Sequence, residues 1–189
     1  IVPAENAGEN IEADGQISLF SMGETEKIEA FGLCYGEEQI YYIPTSRDVT
    51  GNFLLEELGK AQVNTWIAMD LKSQLRYMDF QKQLKQKQQG MASAEGWMAY
   101  EQLRKCYFDV TVAAYLLNPL KGEYPFDDVA KDYLGMMVPS EKELQEDNCK
   151  LTCYKTYVAW KSKNVLLDSL KEQGMDQLFF DVEMPLVFV

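Results

Sequence analysis

The stretch from Phe108 to Gly135 limits the fold more tightly than any other part of this 189-residue chain. It reads Phe-Asp-Val-Thr-Val-Ala-Ala-Tyr-Leu-Leu-Asn-Pro, a polar loop, then Phe-Asp-Asp-Val-Ala-Lys-Asp-Tyr-Leu-Gly. The spacing predicts two short helices joined by a turn. Asp109 is a candidate N-cap, since its carboxylate can accept the orphan amides of a first turn. Behind it Val112, Ala113, Leu116 and Leu117 form an apolar stripe at helical period. Pro119 stops that helix because it has no N–H to donate. The second helix is predicted to start at Asp127 or Asp128, to bury Val129, Tyr133 and Leu134, and to end at Gly135 in a left-handed cap.

Around this centre the chain alternates strand and helix signals. Residues 1–15 are rich in Glu, Ala, Asn and Gly and read as a disordered lead. Ile17 to Met22 is a short apolar strand, and Glu24 to Glu29 a charged turn. Ala30 to Tyr35 and Gln39 to Ile43 flank Gly36-Glu37-Glu38 as a hairpin closed by Pro44, giving an antiparallel meander of three strands. A helix follows from about Asn52 to Lys60, then a strand over Val63 to Met69, with Asp70 capping a helix from Leu71. That strand–helix–strand order implies a crossover to a parallel neighbour. Gln81 to Glu95 reads as a solvated helix and loop, and Cys106 to Phe108 as an edge strand. Ser140 and Glu143 make a capping box ahead of one long helix, Glu141 to Gln173, which stops at Gly174. A last helix begins near Asp176.

Composition excludes several function classes. No apolar run approaches the ~20 residues of a membrane span, and the first ten residues lack the basic start and apolar block of a signal peptide. The chain begins without Met, which suggests a fragment of something longer. Its 30 acids against 18 bases leave a net charge of −12, a surface that repels phosphate backbones. The absence of histidine removes Ser-His and Cys-His nucleophilic triads. Of the four cysteines only Cys149 and Cys153 are close in sequence, so reduced cytoplasmic thiols are expected rather than a zinc site. The glycines form no phosphate-binding cluster, and Trp66, Trp97 and Trp160 are spaced as packing residues.

The central words also carry a resemblance. Phe108-Asp109, Ala113 through Pro119, Asp127-Asp128-Val129-Ala130 and Tyr133-Leu134-Gly135 resemble the 3′–5′ exonuclease domain of bacterial DNA polymerase I. Val182-Glu183-Met184-Pro185-Leu186 is similar to the residues that lead from that domain into the polymerase domain. The resemblance runs over roughly residues 16–189, densest in the second half. It implies a ribonuclease-H-like (DnaQ-like) α/β fold: a mixed five-stranded sheet with helices on both faces. The implied division is a lead over residues 1–15, the exonuclease-like domain over 16–175, and the start of a polymerase domain over 176–189.

Exonucleases of this family use two divalent cations about 4 Å apart to activate water and stabilise the leaving oxygen. Hard cations need carboxylate oxygens, and the resemblance implies four. They are an Asp-x-Glu pair on the first strand, an Asp after the fourth strand, and the Asp of a Tyr-x-x-x-Asp helix. Here Phe20 and Met22 stand at the first pair, Gln74 at the third acid, and Leu151 and Lys155 at the Tyr and Asp. The only Asp-x-Glu is Asp181-Val182-Glu183, and the only Tyr-x-x-x-Asp runs from Tyr124 to Asp128 across Pro125. No residue is therefore assigned a catalytic, metal-binding or cofactor-binding role.

The resulting expectation is a degenerate exonuclease domain in a cytoplasmic DNA polymerase, a DNA replication and repair protein. This domain would support the polymerase domain of the same chain and meet DNA only through the full-length protein. No cofactor is expected for this piece, with Mg²⁺ confined to the polymerase domain, and the piece is expected to be monomeric. Two alternatives remain open. One is weak exonuclease activity through relocated acids such as Asp70, Asp79 or Glu24; the other is a single-strand-binding groove without hydrolysis.

Overall fold

The computed structural model describes residues 1–3, 28–36, 39–61, 63–75 and 106–188. Among these, β1 (Val2–Pro3), β2 (Ile28–Tyr35) and β3 (Gln39–Pro44) form an antiparallel sheet in the order β1-β2-β3. The β2–β3 hairpin pairs Phe31 with Ile43 and Leu33 with Tyr41. Its turn holds Gly36 at a φ of 62°, where a side chain would be strained. Thr50 caps α1 (Gly51–Lys60) by accepting the Phe53 amide at 3.2 Å, so the helix starts one residue ahead of the expected Asn52.

The second sheet is parallel and two-stranded, with β4 (Trp66–Ala68) beside β5 (Tyr107–Asp109) in the register Trp66↔Tyr107 and Ala68↔Asp109. β5 is thus the parallel neighbour expected for the Val63–Met69 segment. The architecture is mixed α/β; the strand expected over Ile17–Met22 and the helix and loop over Gln81–Glu95 lie outside the described residues. Among the described residues no helix is long and apolar enough to cross a membrane.

The helices that follow are α2 (Leu71–Leu75), α3 (Val110–Leu117), α4 (Phe126–Leu134), α5 (Glu141–Leu144), α6 (Asn148–Glu172), α7 (Asp176–Leu178) and α8 (Met184–Val187). Gly135 ends α4 at a φ of 64°, as its sequence position requires. The start of α4 differs from expectation. It begins at Phe126 behind Pro125, because proline's fixed φ and missing donor suit a helix entrance. Asp127 and Asp128 are not caps; they lie in the first turn, where carboxylates complement the helix dipole.

A second correction concerns the predicted Glu141–Gln173 helix, which is broken. α5 closes after one turn, and α6 restarts at Asn148 with Asp147 accepting the Lys150 amide at 2.9 Å. Between α7 and α8 the backbone is π-helical over Phe179–Glu183, and the Met184 N–H donates to the Phe179 carbonyl. The extra residue in that turn brings Phe179 and Met184 onto the same buried side. There Phe179 packs 4.9 Å from the ring of Phe108.

α6 is the spine. It touches β2, β3, β4, α3 and α4, and buries Val158, Leu166 and Leu170 completely. It comes so close to β2 that a Cβ on Gly32 would lie 2.3 Å from Thr156 Oγ1 and 2.5 Å from Thr152 Cγ2. Both neighbours are β-branched and stiff at χ1, so neither swings clear cheaply. Gly32→Ala is therefore expected to lower stability by about 1–3 kcal/mol, read from the urea midpoint at unchanged m-value.

Asp109 joins the second sheet to the helices around it. It is 1% exposed, and its Oδ1 accepts the Thr111 amide at 2.8 Å and the Val112 amide at 3.3 Å, capping α3. Its Oδ2 accepts the Leu71 amide at 2.7 Å, fixing the start of α2. Burial lifts its pKa from 3.8 to about 6, although the three amides favour the ionised form. The folded state thus binds this proton more tightly than the unfolded chain does. Asp109's contribution is greatest below about pH 4 and declines as pH rises through about 6. Asp109→Asn sets an amide NH₂ against the Leu71 N–H and should cost about 1–3 kcal/mol near pH 4. The gap from the parent in denaturant titrations should then narrow towards pH 7; a gap that widens instead contradicts this account.

Candidate functional site

The corner between β4 and α2 opens onto a cavity of about 630 Å³. One side is the end of β4 with Asp70, Ser73 and Gln74; the other is the α6 face carrying Thr152, Lys155 and Thr156. The loop through Glu123 and Tyr124 and the start of α4 at Phe126 complete the wall, with Gly32 of β2 and Ile1 at the remaining edge.

Of the four positions where the resemblance implies metal-binding acids, two fall among the described residues, and both line this cavity: Gln74 and Lys155. The Gln74 amide donates to the Met69 carbonyl at 2.6 Å, which pins it to the turn it follows. The Lys155 ammonium donates to Glu141 Oε1 at 2.6 Å. Leu151, one turn earlier on α6, packs against the core. Phe20 and Met22 lie outside the described residues.

The relocated acids fare differently. Asp70 lines the cavity at a φ of 48°, in the left-handed region that few side chains other than Asn and Asp enter readily. Its carboxylate accepts the Ser73 amide at 3.3 Å and the Ser73 hydroxyl, while its own N–H donates to Thr111 Oγ1 at 3.1 Å. Asp70 thus serves the start of α2, as its sequence position predicts. Asp79 and Glu24 lie outside the described residues. Asp181 and Glu183 sit on the π-helical turn. The Tyr124 hydroxyl lies within hydrogen-bond reach of the carbonyls of Asn118 and Lys121, which share its single proton and close the loop before α4. Asp128 shares the Lys121 ammonium with Asp132, at 3.0 and 2.7 Å, and the two carboxylates hold that lysine above its ordinary pKa. Among the described residues no group of three or more Cys, Asp or Glu side chains is arranged to hold a metal ion.

The polar groups of the cavity's lining are the Gln74 amide, the Lys155 ammonium paired with Glu141, the carboxylates of Asp70 and Glu123, and several hydroxyls. Such groups can donate and accept hydrogen bonds. An amide oxygen is a weak substitute for a carboxylate as a ligand to hard cations, and an ammonium repels them.

The residue that sequence reasoning missed is Glu141. In one continuous helix, residues 14 apart would stand about 21 Å apart along the axis. The break at Asp147 lets α5 fold back, so Glu141 meets Lys155 across that interval. The local signal was Asp147 three residues ahead of Lys150, a helix-start pattern inside an otherwise helical run. The Lys155 and Glu141 side chains remain 38% and 50% exposed, so water screens their attraction. Glu141→Gln should then cost no more than about 1 kcal/mol in urea unfolding. A loss above about 3 kcal/mol would show a desolvated pair instead.

Against this geometry, comparisons with protein-family models, curated proteins and solved structures returned no match for the chain.

Proposed function

We propose that the chain is a degenerate 3′–5′ exonuclease domain of a bacterial DNA polymerase, with a five-stranded ribonuclease-H-like sheet. On this reading it has given up hydrolysis and serves as a structural support for a polymerase domain. The observation that carries the reading is the meeting of Gln74 and Lys155 in one cavity. The resemblance singles out these two positions, far apart in sequence, as members of one site. The cavity between them is the place where such a site would lie.

Further support comes from the parts that a scaffold must keep. The family-like words Phe108-Asp109, Ala113-Ala114 and Val129-Ala130 are all among the buried residues, so packing alone is sufficient reason for them. The exposed apolar side chains Leu178, Val182 and Leu186 recur every fourth residue along the last helical segment. They are the surface that a contact with a following domain would use. The parent protein would be a nucleotidyltransferase of DNA replication and repair, and would bind DNA through its other domains.

Incubation of the chain with end-labelled single-stranded DNA and Mg²⁺ or Mn²⁺ tests the reading. The expected outcome is no shortening from the 3′ end above a no-protein control. Metal-dependent degradation that follows the protein through purification and is lost in Asp70→Ala would establish the relocated-acid alternative in its place.

A further inference from the structure

α6 opens with two cysteines one helical turn apart, Cys149 and Cys153, both unbridged thiols. Residues four apart on a helix share a face, with Cβ atoms about 5–6 Å from each other. Here the two thiols are hydrogen-bonded to one another, with Cys149 exposed and Cys153 half-buried. A disulfide asks for Cβ atoms about 3.5–4.5 Å apart, so a direct S–S bond would distort this turn. A ligand that places one atom between the sulfurs meets no such demand, and soft thiolates select soft partners. From this spacing we propose that Cys149 and Cys153 form a dithiol site for thiophilic ligands of the trivalent arsenical class, held by both sulfurs at once.

The surroundings suit an arsenical that carries an organic group. α6 packs on β3, where Tyr42 stands opposite Gly32 and so shares the side of the hairpin that faces the helix. The Tyr42 phenol is raised above its ordinary pKa, by burial first and then by Cys149, Glu29, Cys153 and Asp147, so its hydroxyl end lies within electrostatic range of both sulfurs. An aromatic ring beside the thiols gives the organic group a surface to pack on. Exposure sets the order of events: Cys149 meets the ligand first, and Cys153 on the next turn closes the ring. With phenylarsine oxide the As–O bond breaks, two As–S bonds form, and both thiol protons leave with the oxygen as water. Arsenic stays trivalent, so no oxidant or reductant is needed. This inference concerns the first turns of α6 and is independent of the exonuclease-like reading.

Phenylarsine oxide titrated into the reduced native chain, with adducts counted by intact-protein mass spectrometry, tests it. The expected result is one adduct per chain that survives excess mercaptoethanol and is released by ethanedithiol, since only a dithiol competes with a two-sulfur ring. Cys149→Ser and Cys153→Ser should each weaken binding by about 100-fold or more, because the second sulfur then no longer acts within the same molecule. Cys106→Ser, just ahead of β5, should leave binding unchanged. The absence of any monothiol-resistant adduct on the folded parent overturns the inference. An adduct of undiminished stability in Cys149→Ser or Cys153→Ser overturns it equally. Should Cys153→Ser unfold the protein by circular dichroism, the exposed Cys149→Ser decides alone.

Discussion

The buried carboxylate of Asp109 fixes the relation between two chain reversals that border the cavity. One oxygen caps α3, and the other reaches across to the first amide of α2, so the end of β5 and the end of β4 are held by the same group. The parallel pairing of Ala68 with Asp109 brings those two strand ends side by side. β5 runs straight into α3 and β4 reaches α2 after Met69 and Asp70, leaving orphan amides at both corners. A single buried acceptor satisfies three of them. Its charge is tolerated because each bond favours the ionised form, while burial works against it, and the balance leaves the group titrating near 6. Asp70, Ser73 and Gln74 owe their positions on the cavity wall to this junction.

The second constraint is steric. α6 could not lie as close to β2 with any side chain at Gly32, and the hydroxyl-bearing face of α6 would then stand farther from the sheet. Close approach at this point brings Thr152, Lys155 and Thr156 to the cavity that Gln74 enters from the other side. The hydrogen bonds of Asp109 set one wall and the missing Cβ of Gly32 sets the other. Neither feature needs a ligand for its explanation.

Features governed by near neighbours in sequence were legible in advance. Asp109 as a cap, Gly36 in the hairpin turn, Gly135 as a left-handed stop and the Ser140–Glu143 box each depend on residues within a few positions. The misread features depend on partners farther away or on competing local signals. Gln145 and Glu146 are good helix formers and conceal the break that Asp147 makes, and with it the meeting of Glu141 and Lys155. Asp127 and Asp128 have the composition of caps, but Pro125 is already suited to the entrance and leaves them inside the helix. The second bond of Asp109, to Leu71, joins residues 38 apart and has no local signature. For the candidate site, the resemblance picked out Gln74 and Lys155 as members of one set. The pairing that each makes, with Met69 and Glu141, was not legible because both partners are supplied by the turn and the fold.

On the proposed ancestry, the chemistry of the replacements has its own logic. A cluster of carboxylates is stable only while cations neutralise it, because like charges within a few ångströms raise one another's energy. In a chain that already carries a net charge of −12, a cluster without its metal adds further repulsion. An amide at residue 74 retains hydrogen-bonding capacity without the charge, and spends it on the Met69 carbonyl. An ammonium at residue 155 goes further, since it draws Glu141 into an ion pair across the wall. Once hydrolysis ceased to be selected, substitutions of this type would be favoured by stability alone. The same substitutions oppose a return, because residues 74 and 155 no longer offer the carboxylate oxygens that a hard cation needs.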